Sequence, residues 1–230
     1  MSDPSFIARR KILRAMLPIA AFEGWTARSL REAVKATDLP HGADALYFPE
    51  GPKEVIAFWS EQMDRQAAKQ LGAMDMAQMK IRDKVTAGVL ARFEAIGPHQ
   101  EAARRALARL TLPDSLGQGP AQLWAAADTI WRAIGDKSTD GNYYSKRATL
   151  SAVIASSLAA WLGDDSLDKA KGRKFLDARI ANVMQFEKAK WDFKTKTKDW
   201  PKPAEILGQL RYGRPPGRSR RSSRRARARY

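Results

Sequence analysis

The chain offers few groups for bond-making chemistry. Cysteine is absent and histidine occurs only as His41 and His99, so thiolate nucleophiles, Cys-ligated metals and His-rich metal sites are excluded. Neither histidine has a nucleophile close by in sequence, and there is no Glu-x-x-His pair or phosphate-binding glycine loop. The adjacent carboxylates Asp164 and Asp165 follow an apolar run, at a helix end where charges are ordinarily solvated. No catalytic residues, cofactor or metal are expected, and the chain is expected not to be an enzyme; a site assembled from distant residues is the alternative. The densest group with chemical character is "DGNYYSKR", where Asp140, Tyr143, Tyr144, Lys146 and Arg147 fall within one stretch. Its chemistry is recognition, since aromatic rings beside an arginine are typical interface anchors. Successive helical residues point about 100° apart, so both tyrosines cannot face a core and one should be exposed. In the plainer reading they staple a loop, Asp140 caps a helix, and Lys146 and Arg147 remain solvated.

The element that must carry this group is the uncharged run from Ala148 to Leu162, ending at Gly163. It is shorter than the roughly 20 apolar residues that a membrane span requires, so it predicts a helix buried in protein. Many of its side chains are small, including Ala152, Ala155, Ser156 and Ala159. Small residues permit close helix packing or leave room for a ligand. An apolar lipid pocket would draw Leu150, Val153, Ile154 and Leu158 from this helix and Trp59, Met63 and Met74 from the Met-rich stretch upstream. The same residues also suit an ordinary core.

Strand signals are absent, and apolar spacing predicts helices over 4–22, 28–36, 43–48, 52–71, 75–95, 98–111, 118–135, 141–163 and 168–194. The expected organisation is a helix-turn-helix-like subdomain over 1–60, a helical domain over 61–195 and a basic tail over 196–230. The order in the first part, with "EGWTARSLREAVKAT" and then "DLPHGADALYFPEGP", resembles the N-terminal domain of TetR-type repressors. A DNA-reading helix normally presents Lys, Arg, Asn or Gln to the groove. Residues 38–50 instead carry Asp38, Asp44 and Glu50 and no Lys or Arg, so specific DNA binding is not expected. A TetR-like regulator sensing an apolar ligand remains the alternative.

The net charge is +16, and nine arginines without an acid lie in the last twenty residues, leaving a moderate +7 for the first 210. That tail has no apolar periodicity and is expected to be disordered. At the other end, Arg9, Arg10, Lys11 and Arg14 partly match a transit peptide, but Phe6, Ile12, Leu13, Met16, Leu17 and Ala20 have the spacing of a folded first helix. Near the end of the last helix, Phe186, Lys190, Trp191 and Phe193 combine rings with ammonium groups, a pattern suited to an anionic membrane surface. A soluble packing helix would account for the apolar positions equally.

Several motifs converge on one family. "DGNYYSKR" leads into the apolar helix, Asp164 and Ser166 follow as "D-x-S", and Phe175, Leu176, Arg179 and Ile180 as "F-L-x-x-R-I". With "GW" at 24–25 and "LYFPEGP" at 46–52, the chain resembles the coenzyme Q biosynthesis protein nine family over roughly residues 5–190. That family has Trp where this chain has Tyr143. The resemblance implies an all-α, TetR-like helical bundle, a homodimer, and a non-enzymatic accessory role in ubiquinone synthesis. It further implies an isoprenoid quinone or other lipid in an apolar pocket, and a di-iron ubiquinone-synthesis hydroxylase as partner, docked through Asp140, Tyr143, Tyr144 and Arg147. The place implied is the cytoplasmic face of a bacterial inner membrane, bound peripherally, or the mitochondrial matrix in a eukaryote.

Overall fold

A computed structural model describes residues 3–196, with the side chains of 187–194 and 196 outside the description. The helices are α1 (Pro4–Glu23), α2 (Ala27–Lys35), α3 (Ala43–Tyr47), α4 (Pro52–Gly72), α5 (Ile81–Glu94), α6 (Gln100–Arg109), α7 (Gln118–Ala133), α8 (Gly141–Leu162) and α9 (Ala170–Lys196). Among the described residues there is no strand, so the all-α expectation holds.

Local chemistry sets the helix ends. Asp3 accepts from the Ser5 amide at 3.0 Å and Pro4 opens α1, where its missing N–H costs nothing. Thr26 accepts from the Ser29 amide at 3.0 Å to start α2. Gly42 at φ 86° makes the left-handed step into α3, a conformation that other residues resist. The helix expected over 75–95 begins only at Ile81. The Asp75 carboxylate accepts from the Ala77 amide at 3.0 Å, and this local turn competes with helical pairing through the preceding segment.

Residues 1–184 form one compact unit. The boundary expected after residue 60 falls inside the continuous helix α4, and the helix-turn-helix-like segment shares its core with the rest. Trp25 shows how. Its indole is 2% exposed, donates to the Ala102 carbonyl at 2.9 Å, and stacks on Trp59 with ring centroids 5.7 Å apart and planes at 28°. Phe48, from the "LYF" motif, is likewise buried edge-on against Phe58, with the Arg9 guanidinium lying over both rings.

α4 packs on α5 and α7, α7 packs on α8, and α1 packs on α2 and α6. The approach of α5 to α7 depends on Gly88, where an added Cβ would sit 2.7 Å from Ile130 Cγ2. The residues from 185 onward belong to a second unit and are described only through residue 196. The predicted disordered tail therefore lies outside the described residues. Among the described residues, no helix is long and apolar enough to cross a membrane.

Candidate functional site

Two features of the first unit have the geometry of a site: an apolar cavity, and a polar node beneath the half-buried Tyr143. The cavity has a volume of about 290 Å³ and lies where α4, α5, α6, α7 and α8 meet. Its walls are mostly apolar, with Ile56, Trp59 and Met63 from α4, Ala103, Ala106 and Leu107 from α6, Leu123 from α7, and Ala155 and Leu158 from α8. Ser60, Arg92, Thr111 and Gln122 supply its polar groups.

Arg92 is 4% exposed, and a charge that deep needs a partner. It donates from Nε to Asp64 Oδ1 at 2.6 Å and from Nη2 to Ser60 Oγ at 2.9 Å. Burial pushes the Asp64 carboxyl above its ordinary pKa, and the Arg92 charge and hydrogen bond only partly oppose this. Gln122 Nε2 is buried with no hydrogen-bond partner among the described residues, so a donor at the cavity is left for an acceptor atom.

Of the residues expected at a pocket, Trp59, Met63 and Leu158 come together here. Leu150, Val153 and Ile154 are also buried, but they fill the core and do not line this cavity. Met74 is 42% exposed just beyond α4, because that helix ends at Gly72 before the Met-rich stretch is complete. Sequence reasoning missed the α6 wall. Its signal was the placement of Ala102, Ala103 and Ala106 on one face of an otherwise charged helix, all buried in the structure.

At the start of α8, Asp140 caps the helix by accepting from the Asn142 amide at 3.0 Å, as the plainer reading expected. Tyr144 is 64% exposed and contacts the rings of Trp124 and Tyr143. Arg147 requires a correction: it was expected at a docking face, yet it is 1% exposed. Its Nε donates to Asp128 Oδ1 at 2.6 Å, and its Nη1 donates to Asp136 Oδ2 at 3.3 Å and to the Tyr143 carbonyl at 3.2 Å. The guanidinium also lies 3.5 Å from the Tyr143 ring centroid. Arg147 thus supports Tyr143 from below.

Lys146 is not freely solvated either, since its Nζ donates to Asp136 Oδ1 and Ser138 Oγ, both at 2.7 Å. Burial disfavours the Asp136 carboxylate, but hydrogen bonds from Lys146 and Ser138, together with the Lys146 charge and Arg147, outweigh it and hold its pKa down at about 2. The Asp128 carboxyl is also lowered, as Arg147 and Arg132 overcome its desolvation.

The "D-x-S" motif is structural. Asp164 accepts from the Ser166 amide at 2.8 Å, the Ser166 hydroxyl at 2.6 Å and the Gly172 amide at 2.7 Å, closing the turn from α8 to α9. These bonds, first the one from the Ser166 hydroxyl, hold its pKa down at about 2. In α9, Leu176 and Ile180 are buried. Phe186 is 68% exposed, and the side chains of Lys190, Trp191 and Phe193 lie outside the description.

In the segments flanking α3, Asp38 pairs with Lys11 at 2.8 Å and Glu50 with Lys53 at 3.4 Å, so two of the three acids named for this region sit beside cations of neighbouring helices. Among the described residues, no group of His, Asp and Glu could hold a metal ion.

The helical arrangement defines the class. A TetR transcriptional regulator from Nitrosomonas europaea superposes with a TM-score of 0.64 over 77% of this chain and 98% of its own, at 15% identity, so the fold is TetR-like. Within that fold, residues 116–187, which contain the Arg147 node and the Asp164 turn, match the COQ9 family model. Ubiquinone biosynthesis protein COQ9, mitochondrial, from Rattus norvegicus is 27% identical over 182 residues, 76% of this chain and 58% of the relative. COQ9-B from Xenopus laevis is 30% identical over 188 residues, 76% of this chain and 62% of the relative. The probable coq9 of Dictyostelium discoideum is 23% identical over 188 residues. The chain is thus similar to COQ9 proteins, and spans about three fifths of the length of these curated relatives.

Proposed function

We propose that this protein serves ubiquinone biosynthesis as a non-enzymatic accessory that binds an isoprenoid quinone intermediate and presents it to membrane-associated enzymes. The observation that carries the reading is the mostly apolar cavity with an unpartnered donor, Gln122 Nε2, in its wall. At about 30 Å³ per non-hydrogen atom, the share of a molecule in liquid water, its 290 Å³ accommodates on the order of ten atoms. That suits a substituted ring or a pair of isoprene units, and the remainder of a long tail would lie elsewhere. An oxygen of the ring would accept from Gln122 Nε2, the donor left without a partner.

The partner would be a hydroxylase of the pathway, docking on the ring cluster of Tyr144, Tyr143 and Trp124 with Asp140 at its edge. Arg147 enters this reading as the support of that cluster. The protein would act as a homodimer on an anionic membrane surface, reached through the Phe186, Lys190, Trp191 and Phe193 segment. That surface would be the bacterial inner membrane, or the inner membrane facing the mitochondrial matrix, the named relatives being mitochondrial proteins. The acidic α3 region supports a role without sequence-specific DNA reading.

Native mass spectrometry of the purified chain, with extraction of the co-purifying lipid, tests the reading. The expected result is a bound prenylated ring compound that is lost from Ala106→Phe, which projects a ring into the cavity while the fold persists. A protein that carries no lipid and gains no thermal stability from added short-chain quinone would refute it.

A further inference from the structure

A second concavity shares Trp59 and Met63 with the apolar cavity, and its chemistry differs. It is an open cleft of about 740 Å³ between one face of α1 and one face of α4, with Ala95 and His99 also in its lining. Its floor is apolar, made by Leu13, Leu17 and Met63 with the edge of Trp59. Its rim is cationic on both walls: Arg10 and Arg14 stand one helical turn apart on α1, and Arg65 and Lys69 one turn apart on α4. Among the described residues no carboxylate lines it. Arg65 pairs with Glu61 at 2.6 Å, whereas Arg10, Arg14 and Lys69 are exposed and make no ion pair among the described residues.

Arg65 is offset by Glu61, but the three unpaired cations around one concavity repel each other, and a folded domain keeps such an arrangement more readily when an anion offsets it. The cleft wall also holds Gln62, whose Nε2 is a second buried donor with no partner among the described residues. The missing complement is therefore both negatively charged and rich in acceptors. A phosphate group meets both requirements, because its charge is high and its oxygens accept several charge-assisted hydrogen bonds at once. The apolar floor adds a further requirement that a free inorganic ion does not meet.

We propose that the α1–α4 cleft binds a phosphate-headed amphiphile, with the head between the Arg10–Arg14 and Arg65–Lys69 pairs and the hydrocarbon stem along Leu13, Leu17 and Met63. The site stands apart from whatever fills the apolar cavity, although both share the side chains of Trp59 and Met63. Its ligand is an alkyl or prenyl phosphate, free in solution or as a lipid headgroup in a bilayer.

The test uses the full chain and dodecyl phosphate below its micelle concentration, with dodecanol and inorganic phosphate as half-ligands, followed by equilibrium dialysis. Dodecyl phosphate should bind at least tenfold more tightly than either half-ligand. R14Q/K69Q, which removes one cation from each wall, should weaken it at least tenfold without moving the thermal midpoint, and the charge-keeping R14K/K69R should restore it. R224Q/R225Q removes the same charge from the arginine-rich tail and should change binding less than twofold. Phosphatidylcholine vesicles with and without phosphatidic acid identify the source: capture that requires phosphatidic acid and is lost in R14Q/K69Q indicates a bilayer headgroup, and binding of the monomer alone indicates a free amphiphile. Equal losses in the cleft and tail variants would overturn the proposal, as would dodecanol or inorganic phosphate binding as tightly as dodecyl phosphate.

Discussion

Replacing Arg147 by alanine is the sharpest perturbation of the polar node. The wild-type guanidinium is fully buried, bridges Asp128 and Asp136, and underlies Tyr143. Removing one partner of a buried ion pair costs about 3–5 kcal/mol, because the other charge is left desolvated. Two features place this case at the lower end. Asp136 keeps Lys146 at 2.7 Å, and Asp128 keeps Arg132 at 2.8 Å on a side chain that is largely exposed. A loss of about 3 kcal/mol follows, which for a domain of this size lowers the thermal midpoint by roughly 6–12 °C. The pH dependence gives a second readout. Asp136 has its pKa lowered from 3.8 to about 2 in the folded state, so its contribution is complete above the unfolded value and disappears as pH falls through about 2. In R147A this carboxyl loses one of the groups holding it down. The stability gap between wild type and variant should therefore be constant near neutrality and narrow from about pH 4 towards pH 2. Urea melts monitored by circular dichroism across that range provide the assay. A loss below about 1 kcal/mol at pH 7 would refute the reasoning and return Arg147 to the surface role its sequence context suggested.

Gly88→Ala should destabilise the fold by about 1–2 kcal/mol in chemical denaturation, since overpacking at a Cβ contact of 2.7 Å with a β-branched side chain exceeds the helix-propensity gain of up to about 1 kcal/mol. Tyr144→Ala should change stability by less than about 1 kcal/mol yet reduce co-purification with the pathway hydroxylase, and a large stability loss without loss of the partner would contradict the docking role. Trp191→Ala with Phe193→Ala should reduce flotation of the full chain with anionic liposomes at a salt concentration that suppresses tail binding; unchanged flotation would leave the tail as the membrane contact.

Much of the fold was legible because helix period and helix breaks are local properties. The Gly- and Pro-containing stretches at 97–99, 112–114 and 117–120 fall at or beside helix junctions. The start of α5 was misplaced because methionine and alanine carry no stop signal, and the turn at Asp75 depends on one side-chain hydrogen bond. The cavity was legible only in part. Apolarity told that Leu150, Val153 and Ile154 would be buried, but not which face of α8 meets the cavity. Arg147 was misread for a complementary reason: its carboxylates come from α7 and the loop after it, and nothing in "YYSKR" records that Asp128 and Asp136 will fold over it. The basic cleft was equally hidden, since its two charge pairs lie some fifty residues apart in sequence.

The stacked indoles of Trp25 and Trp59 give the molecule a built-in optical gauge. Two such chromophores 5.7 Å apart and 28° from parallel share their excited states and generate a paired circular-dichroism signal that the isolated rings lack. Trp59 forms a wall of the cavity and of the basic cleft, while Trp25 is pinned to the Ala102 carbonyl. A molecule that displaces Trp59 on entering either space would tilt one member of the pair against a fixed reference. Occupancy can thus be followed in unlabelled protein by the amplitude of that couplet, even among the seven tryptophans of the chain.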